Sequence, residues 1–182
     1  MKKICVRHIL FERGITMENY IITLRESLKP ELRHMPLLQN GAAVIVENPE
    51  GKILLQHRAD RDEWGVPGGC QEMPNQEAEQ LEVTATRELY EEAGIKTRLE
   101  DLILIGMISG KSRYNKYPNG DIVYNNTALF LTTSYTGSIK IDEESREMRF
   151  FNIHELPSNL MDQDLIDCYK RYRSKNPRKN DA

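Results

Sequence analysis

Residues 87–95 read RELYEEAGI: Arg87, Glu88, Leu89, Tyr90, Glu91, Glu92, Ala93, Gly94, Ile95. Three glutamates fall within five positions of an apolar-periodic run, residues 78–93, that reads as a helix stopped by Gly94. On a helical wheel with Leu81 at zero, Ala78, Ala85 and Leu89 lie between roughly +40° and +80°. Glu88, Glu91 and Glu92 lie between roughly −80° and +20° on the same wheel. The acids therefore border the buried stripe instead of opposing it. Each like-charge pair at this spacing costs about 0.2–0.5 kcal/mol. The negative end of the helix dipole and partial burial both raise that cost. Arg87 reaches Glu91 one turn on, but one guanidinium cannot neutralise three carboxylates. A hard divalent cation can: Mg²⁺ takes carboxylate oxygens, waters and often a substrate phosphate. Glu88 and Glu92, about 6 Å apart along the axis, can bracket one ion or bridge two. Taken alone, the three acids also suit an ordinary charged surface helix, so the flanking sequence decides.

Upstream, Gly41–Val46 (GAAVIV) is a short apolar run that predicts a buried strand. Asn48-Pro49-Glu50-Gly51 has turn composition, and KILLQ at 52–56 predicts a returning strand, giving a hairpin over 41–58. The segment DRDEWGVPGGC then demands irregular backbone at Pro67, Gly68 and Gly69. Downstream, residues 99–108, 122–134 and 147–152 predict strands. A Pro-Asn-Gly turn interrupts the loop 111–121, His154–Pro157 suggests a helical turn, and 159–173 predicts a last helix. Strands and helices in mixed order imply an α+β domain, or a layered α/β/α one.

The segment GGCQEMPNQEAEQLEVTATRELYEEAGI resembles the Nudix box, G-x5-E-x7-R-E-U-x-E-E-x-G-U, where U is bulky and aliphatic. Arg87, Glu88, Leu89, Glu91, Glu92, Gly94 and Ile95 match their places, and Glu79 matches the earlier glutamate. One departure stands out: the first glycine of the motif would fall at Met73, while Gly68-Gly69 lies further upstream, so the chain is longer by about four residues around Pro74 to Glu77. WGVPGG at 64–69 and ESREMRFFNIHEL at 144–156 are also similar to family segments. The resemblance implies the Nudix fold, a mixed β-sheet between helices. It places a hydrolase domain over 40–160, with a leader and helix in 1–39 and a helix and basic tail in 161–182.

The resemblance further implies hydrolysis of a diphosphate bond in a nucleoside diphosphate linked to another moiety, with Mg²⁺ as cofactor and Mn²⁺ as an alternative. By transfer, Glu88, Glu91 and Glu92 are metal ligands, the Gly68 carbonyl is a further one, Arg87 positions Glu91, and Glu79 orders the loop and helix start. One of the acids, or a later carboxylate, is the base. Glu144 is the candidate for the later carboxylate, with Glu143 and Glu147 as rivals. For substrate binding, Tyr114 and Tyr124 offer faces on which a base can stack, although tyrosines also favour strand edges. Arg58, with His57 and Arg61, can touch phosphates or can form a solvated turn. Glycine at position 110, where ADP-ribose-preferring relatives carry proline, lowers that option, and the NADH and coenzyme A signatures are missing too. A non-catalytic nucleotide-binding or regulatory module on the same fold is the alternative, which the intact acids oppose.

Composition agrees with a small-molecule enzyme. A net charge of −3 gives no pull toward nucleic acid or an anionic membrane. The basic tail is read as a disordered, solubilising end. The three cysteines, Cys5, Cys70 and Cys168, are scattered and read as free thiols, which suits a cytoplasmic protein. A homodimer is implied by resemblance alone. Met17 opens MENYIITLRESLK, a helical pattern over 18–29, and residues 1–16 are read as a translated leader ahead of a natural start at Met17.

Overall fold

In the computed structural model, which describes residues 25–74, 77–117, 120–141 and 144–178, the apolar run at 41–46 becomes the inner part of strand β1 (Leu37–Val46). Every side chain from Gly41 to Val46 is buried, as a strand covered on both faces requires. Along one edge β1 runs parallel to β7 (Ile122–Thr132), from Leu37 opposite Val123 to Val46 opposite Thr132. Along the other it pairs antiparallel with β4 (Gly68–Cys70). The outer edge of β7 is shared by β5 (Ile103–Ile108) and β6 (Tyr114–Lys116), both antiparallel. A second sheet has the order β3 (Trp64–Gly65), β2 (Ile53–Arg58), β8 (Ser145–Phe151).

The helices α1 (Leu81–Ala93) and α2 (Gln163–Lys175) cover opposite faces of the first sheet. Ala42, Val44 and Val46 of β1 face Ala85, Leu89 and Ala93 of α1. Their neighbours Ala43 and Ile45 face Leu165, Ile166 and Tyr169 of α2. The period of two along β1 thus feeds two cores, and the α/β/α layering follows directly. One polar latch ties α2 to β1: buried Glu47 accepts the Tyr169 hydroxyl and a forked pair from Arg173 at 2.9 and 3.0 Å. No described helix is long and apolar enough to cross a membrane.

The fold class agrees with expectation, but the mixed sheet is divided in two, and the hairpin expected over 41–58 is not one. Its turn exists: the Gly51 N–H donates to Asn48 O at 2.9 Å. Both edges of β1 are already taken by β4 and β7, so after a single bridge, Glu47 to Ile53, the chain leaves for β8 and β3. Both helices also start later than the periodicity suggests. Residues 78–80 stay outside α1, because the chain is still extended at the N-cap Gln80, with ψ of 145°, and the Glu79 N–H turns back to Glu72 O at 2.9 Å. Residues 159–161 stay outside α2 because they pair with Trp64, whose N–H donates to Asn159 O at 3.0 Å and whose carbonyl accepts from Met161 at 2.8 Å. His154–Pro157 is a simple turn, in which the Glu155 N–H reaches Asn152 O at 2.9 Å. The leader, Met17, most of the 18–29 helix, Pro118-Asn119, Glu143 and Cys5 lie outside the described residues.

Candidate active site

Helix α1 ends at Gly94, whose φ of 68° breaks the helix while its N–H still bonds the Tyr90 carbonyl. Its buried face comprises Thr84, Ala85, Leu89, Ala93 and one of the acids, Glu92, only 5% exposed. Glu88 and Glu91 flank it, each side chain 14% exposed. The wheel position of the acids at the core edge is thus what the structure displays.

Arg87 is the hub of the cluster. Its Nε and Nη2 fork onto Glu79, at 3.0 Å to Oε1 and 3.2 Å to Oε2. Its Nη1 donates to Glu88 Oε1 at 2.8 Å and to Glu91 Oε2 at 3.2 Å. Nη2 also reaches the Cys70 carbonyl of β4 at 3.0 Å, which fixes the strand beside the helix. Burial opposes the charge on Arg87, but Glu88 and then Glu79 outweigh burial and raise its pKa. Burial pushes the Glu88 carboxyl up to about 7; Arg87 pulls it down, and Glu91 and Glu72 push it up. Glu72 is raised as well, first by burial, with Glu79 and Glu91 adding to it against Arg87.

Glu79 also accepts from the Thr84 hydroxyl at 2.9 Å and from the Glu72 N–H at 3.3 Å, so it joins the long loop to the first turn of α1. The ends of the lengthened loop are tied together by the Glu79 N–H, which donates to Glu72 O at 2.9 Å, and α1 starts beyond it at Leu81. On the strand side, the Gly68 N–H donates to Glu92 Oε2 at 2.9 Å. Gly69 lies so close to Glu88 that a Cβ there would overlap the carboxylate.

Among the described residues, no three His, Cys, Asp or Glu side chains already converge to hold a metal ion. Arg87 holds Glu88 and Glu91 instead. The donor chemistry nevertheless fits a hard divalent cation: oxygen donors only, three carboxylates on two turns, and one of them, the half-buried Glu88, with a raised pKa that a cation would bring down.

The other side of β4 opens onto a cleft of about 430 Å³. Gly68, Gly69 and Cys70 form part of its wall, with Arg58 and Arg61 on one side and Tyr114 and Tyr117 on another. Arg58 forks onto Asp60 at 2.9 and 3.3 Å. Tyr124 lies outside the lining and supports Tyr114 edge-on, with ring centroids 5.5 Å apart. His57 is stacked on Trp64 at 4.8 Å. Glu144 sits in the loop before β8, where its carbonyl accepts from the Ala59 N–H at 2.7 Å; its neighbour Ser145 takes the Gln56 side chain at 2.8 Å, and Gln56 lines the cleft. Glu147 is exposed, opposite His57 in the second sheet.

Sequence reading did not single out Glu72, Arg113 or Asp162. A signal existed for Glu72, seven positions before Glu79 in the lengthened loop. None existed for Asp162, which falls inside the helix expected over 159–173 and reads there as an ordinary polar position.

A family model described as the NUDIX domain matches residues 37–172. The chain is 26% identical over 180 residues to an ADP-ribose pyrophosphatase of Methanocaldococcus jannaschii, covering 95% of this chain and 98% of that protein. It is 34% identical over 67 residues to a MutT-like protein of Streptomyces ambofaciens, covering 37% of this chain and 41% of that protein. Among solved structures, a MutT NUDIX hydrolase from Burkholderia pseudomallei superposes with a TM-score of 0.55 at 21% identity, over 71% of this chain and 96% of that one.

Proposed function

Because this chain belongs to the NUDIX family and is a pyrophosphohydrolase of it, we propose that it cleaves the diphosphate of a nucleoside diphosphate derivative with the help of a divalent cation. One observation carries the reading: three carboxylates, Glu88, Glu91 and Glu92, stand together on α1 against a strand whose Gly68, Gly69 and Cys70 also wall a substrate-sized cleft.

Glu88, Glu91 and Glu92 would hold Mg²⁺ or Mn²⁺, with the Gly68 carbonyl as a further ligand. A bound cation neutralises the diphosphate and lowers the pKa of its water. The chain's own residues do the rest. Arg87 holds Glu88 and Glu91 on one face and yields them as charge arrives. Glu79 keeps Arg87 fixed through the fork. Arg58 and Arg61 lie where phosphate oxygens would pass, and Tyr114, braced by Tyr124, offers its face to a base. The proton of the attacking water goes to one of the helix acids or to Glu144.

The relative matched along nearly its whole length is named an ADP-ribose pyrophosphatase. ADP-ribose therefore heads the panel, ahead of nucleotide sugars and nucleoside triphosphates. The test is product release across that panel with Mg²⁺, with Mn²⁺ and with chelator. Release of a nucleoside monophosphate from one substrate, abolished by chelator, supports the reading. A panel with no turnover under any condition refutes it.

A further inference from the structure

Asp162 stands immediately before α2, in the N-cap position, and its carbonyl accepts the first helical bond from the Ile166 N–H at 3.1 Å. An aspartate there ordinarily turns its carboxylate onto the first free amides of its own helix. This one makes no side-chain cap bond. The carboxylate, on a residue only 6% exposed, points away into the turn between β3 and β4. Its Oδ2 accepts the Val66 N–H at 3.0 Å, and its Oδ1 accepts Arg113 Nη1 at 3.0 Å. Gly65 leaves room for it: a Cβ at that position would lie 2.9 Å from Asp162 Oδ2.

Both partners lead to the reaction site. Two residues after Val66 comes Gly68, whose N–H holds Glu92. Between them Pro67 is fixed by its carbonyl, which accepts from the Val44 N–H at 2.9 Å. Arg113 comes just before Tyr114, one of the two tyrosines lining the cleft, and is braced on Thr127 of β7 at 3.3 Å and Asp164 at 3.2 Å. The Nε of Arg113 and the Oδ2 of Asp164 are buried with no partner among the described residues.

We propose that Asp162 is a positioning residue: its carboxylate fixes the Gly65–Gly69 turn against the acidic helix and ties that turn, through Arg113, to the loop that bears Tyr114. This rests on the hydrolase reading above, and the experiment separates the two. Amide hydrogen exchange is measured on the metal-free protein, and kinetics with Mg²⁺ and the best panel substrate, for the parent, D162A, D162N, R113Q, G65A and E92Q. In D162A the Val66 and Gly68 amides exchange faster while the first-turn amides of α2 do not. Its kcat falls about 10-fold to 100-fold with little change in KM, as small misplacements of reacting groups do. D162N, whose amide oxygen still accepts from Val66 while its amide nitrogen cannot accept from Arg113, recovers protection at Val66 and most of kcat but raises KM as R113Q does. R113Q, acting on the Tyr114 side, raises KM more than it lowers kcat. If D162A does not fold, G65A carries the test, because its methyl presses on the carboxylate and should lower kcat in the same way. Faster exchange confined to the start of α2, or kcat within two-fold of the parent in D162A or G65A, overturns the proposal. A parent with no turnover on any panel substrate would instead overturn the hydrolase reading, leaving the exchange result to be judged by itself, and an E92Q enzyme as fast as the parent would deny only Glu92 its role.

Discussion

Arg87 spreads one positive charge over Glu79, Glu88 and Glu91, and the balance is incomplete, because burial still lifts Glu88 to about 7. That imbalance has a pH signature. A carboxyl whose folded pKa exceeds its unfolded value binds more protons in the native state. Its stabilising effect is full below the unfolded pKa of about 4.5 and is lost as pH rises through about 7. Metal-free protein should therefore lose stability across that window, read as a falling urea midpoint, and Glu88→Gln should flatten the slope. At Glu92 the effect differs. Glu92→Gln keeps an oxygen for the Gly68 N–H, so the circular dichroism spectrum should not change. Turnover should fall by about 10²- to 10⁴-fold, the usual scale for losing a charged catalytic group. Gly69→Ala should be as damaging to activity, because its methyl would displace the Glu88 carboxylate.

At the scale of elements, α1 carries both the core and the chemistry. Leu89 is wholly buried against β1 and β7. Leu89→Ala should cost about 2–5 kcal/mol, measured by urea unfolding, and should reduce activity only as far as it unfolds the chain. This helix was legible in the sequence because its signals are local: a period of 3.6, a glycine stop, and acids at fixed spacing. The pairing of β1 was not. Asn48 to Gly51 makes the turn that a hairpin would use, yet the long partner of β1 is β7, 86 positions further along the chain, and no local pattern names a distant partner. For the same reason Asp162 drew no notice inside the helix expected over 159–173: its real contact, Val66, lies 96 positions away. Tyr114 and Arg58 could be listed as candidates from type and position, but which of them lines the cleft and which, like Tyr124, stands behind it depends on how β6 folds back on β7.

At the scale of the whole molecule, the site joins helix, strand and loop, so an ion bound there should brace all three. Ligands that bind only the folded state stabilise it by mass action, about 2.7 kcal/mol at a hundred times Kd. Added Mg²⁺ should raise the melting temperature of the parent, more at pH 8 than at pH 5, where a protonated Glu88 competes. Glu92→Gln should blunt that rise. A scan showing equal melting at every Mg²⁺ concentration and pH would deny the helix acids any cation.

The parallel seam of β1 and β7 also governs how the molecule is born. Leu37–Val46 reaches the ribosome exit early but has no long partner until Ile122–Thr132 has followed. Until then both of its apolar faces lack the strand that completes their cores, and pairings this remote are slow to close. Nascent chains arrested before Ile122 should remain open to protease, and full protection should arrive only once Lys175 has cleared the tunnel, because α2 covers the second face of β1.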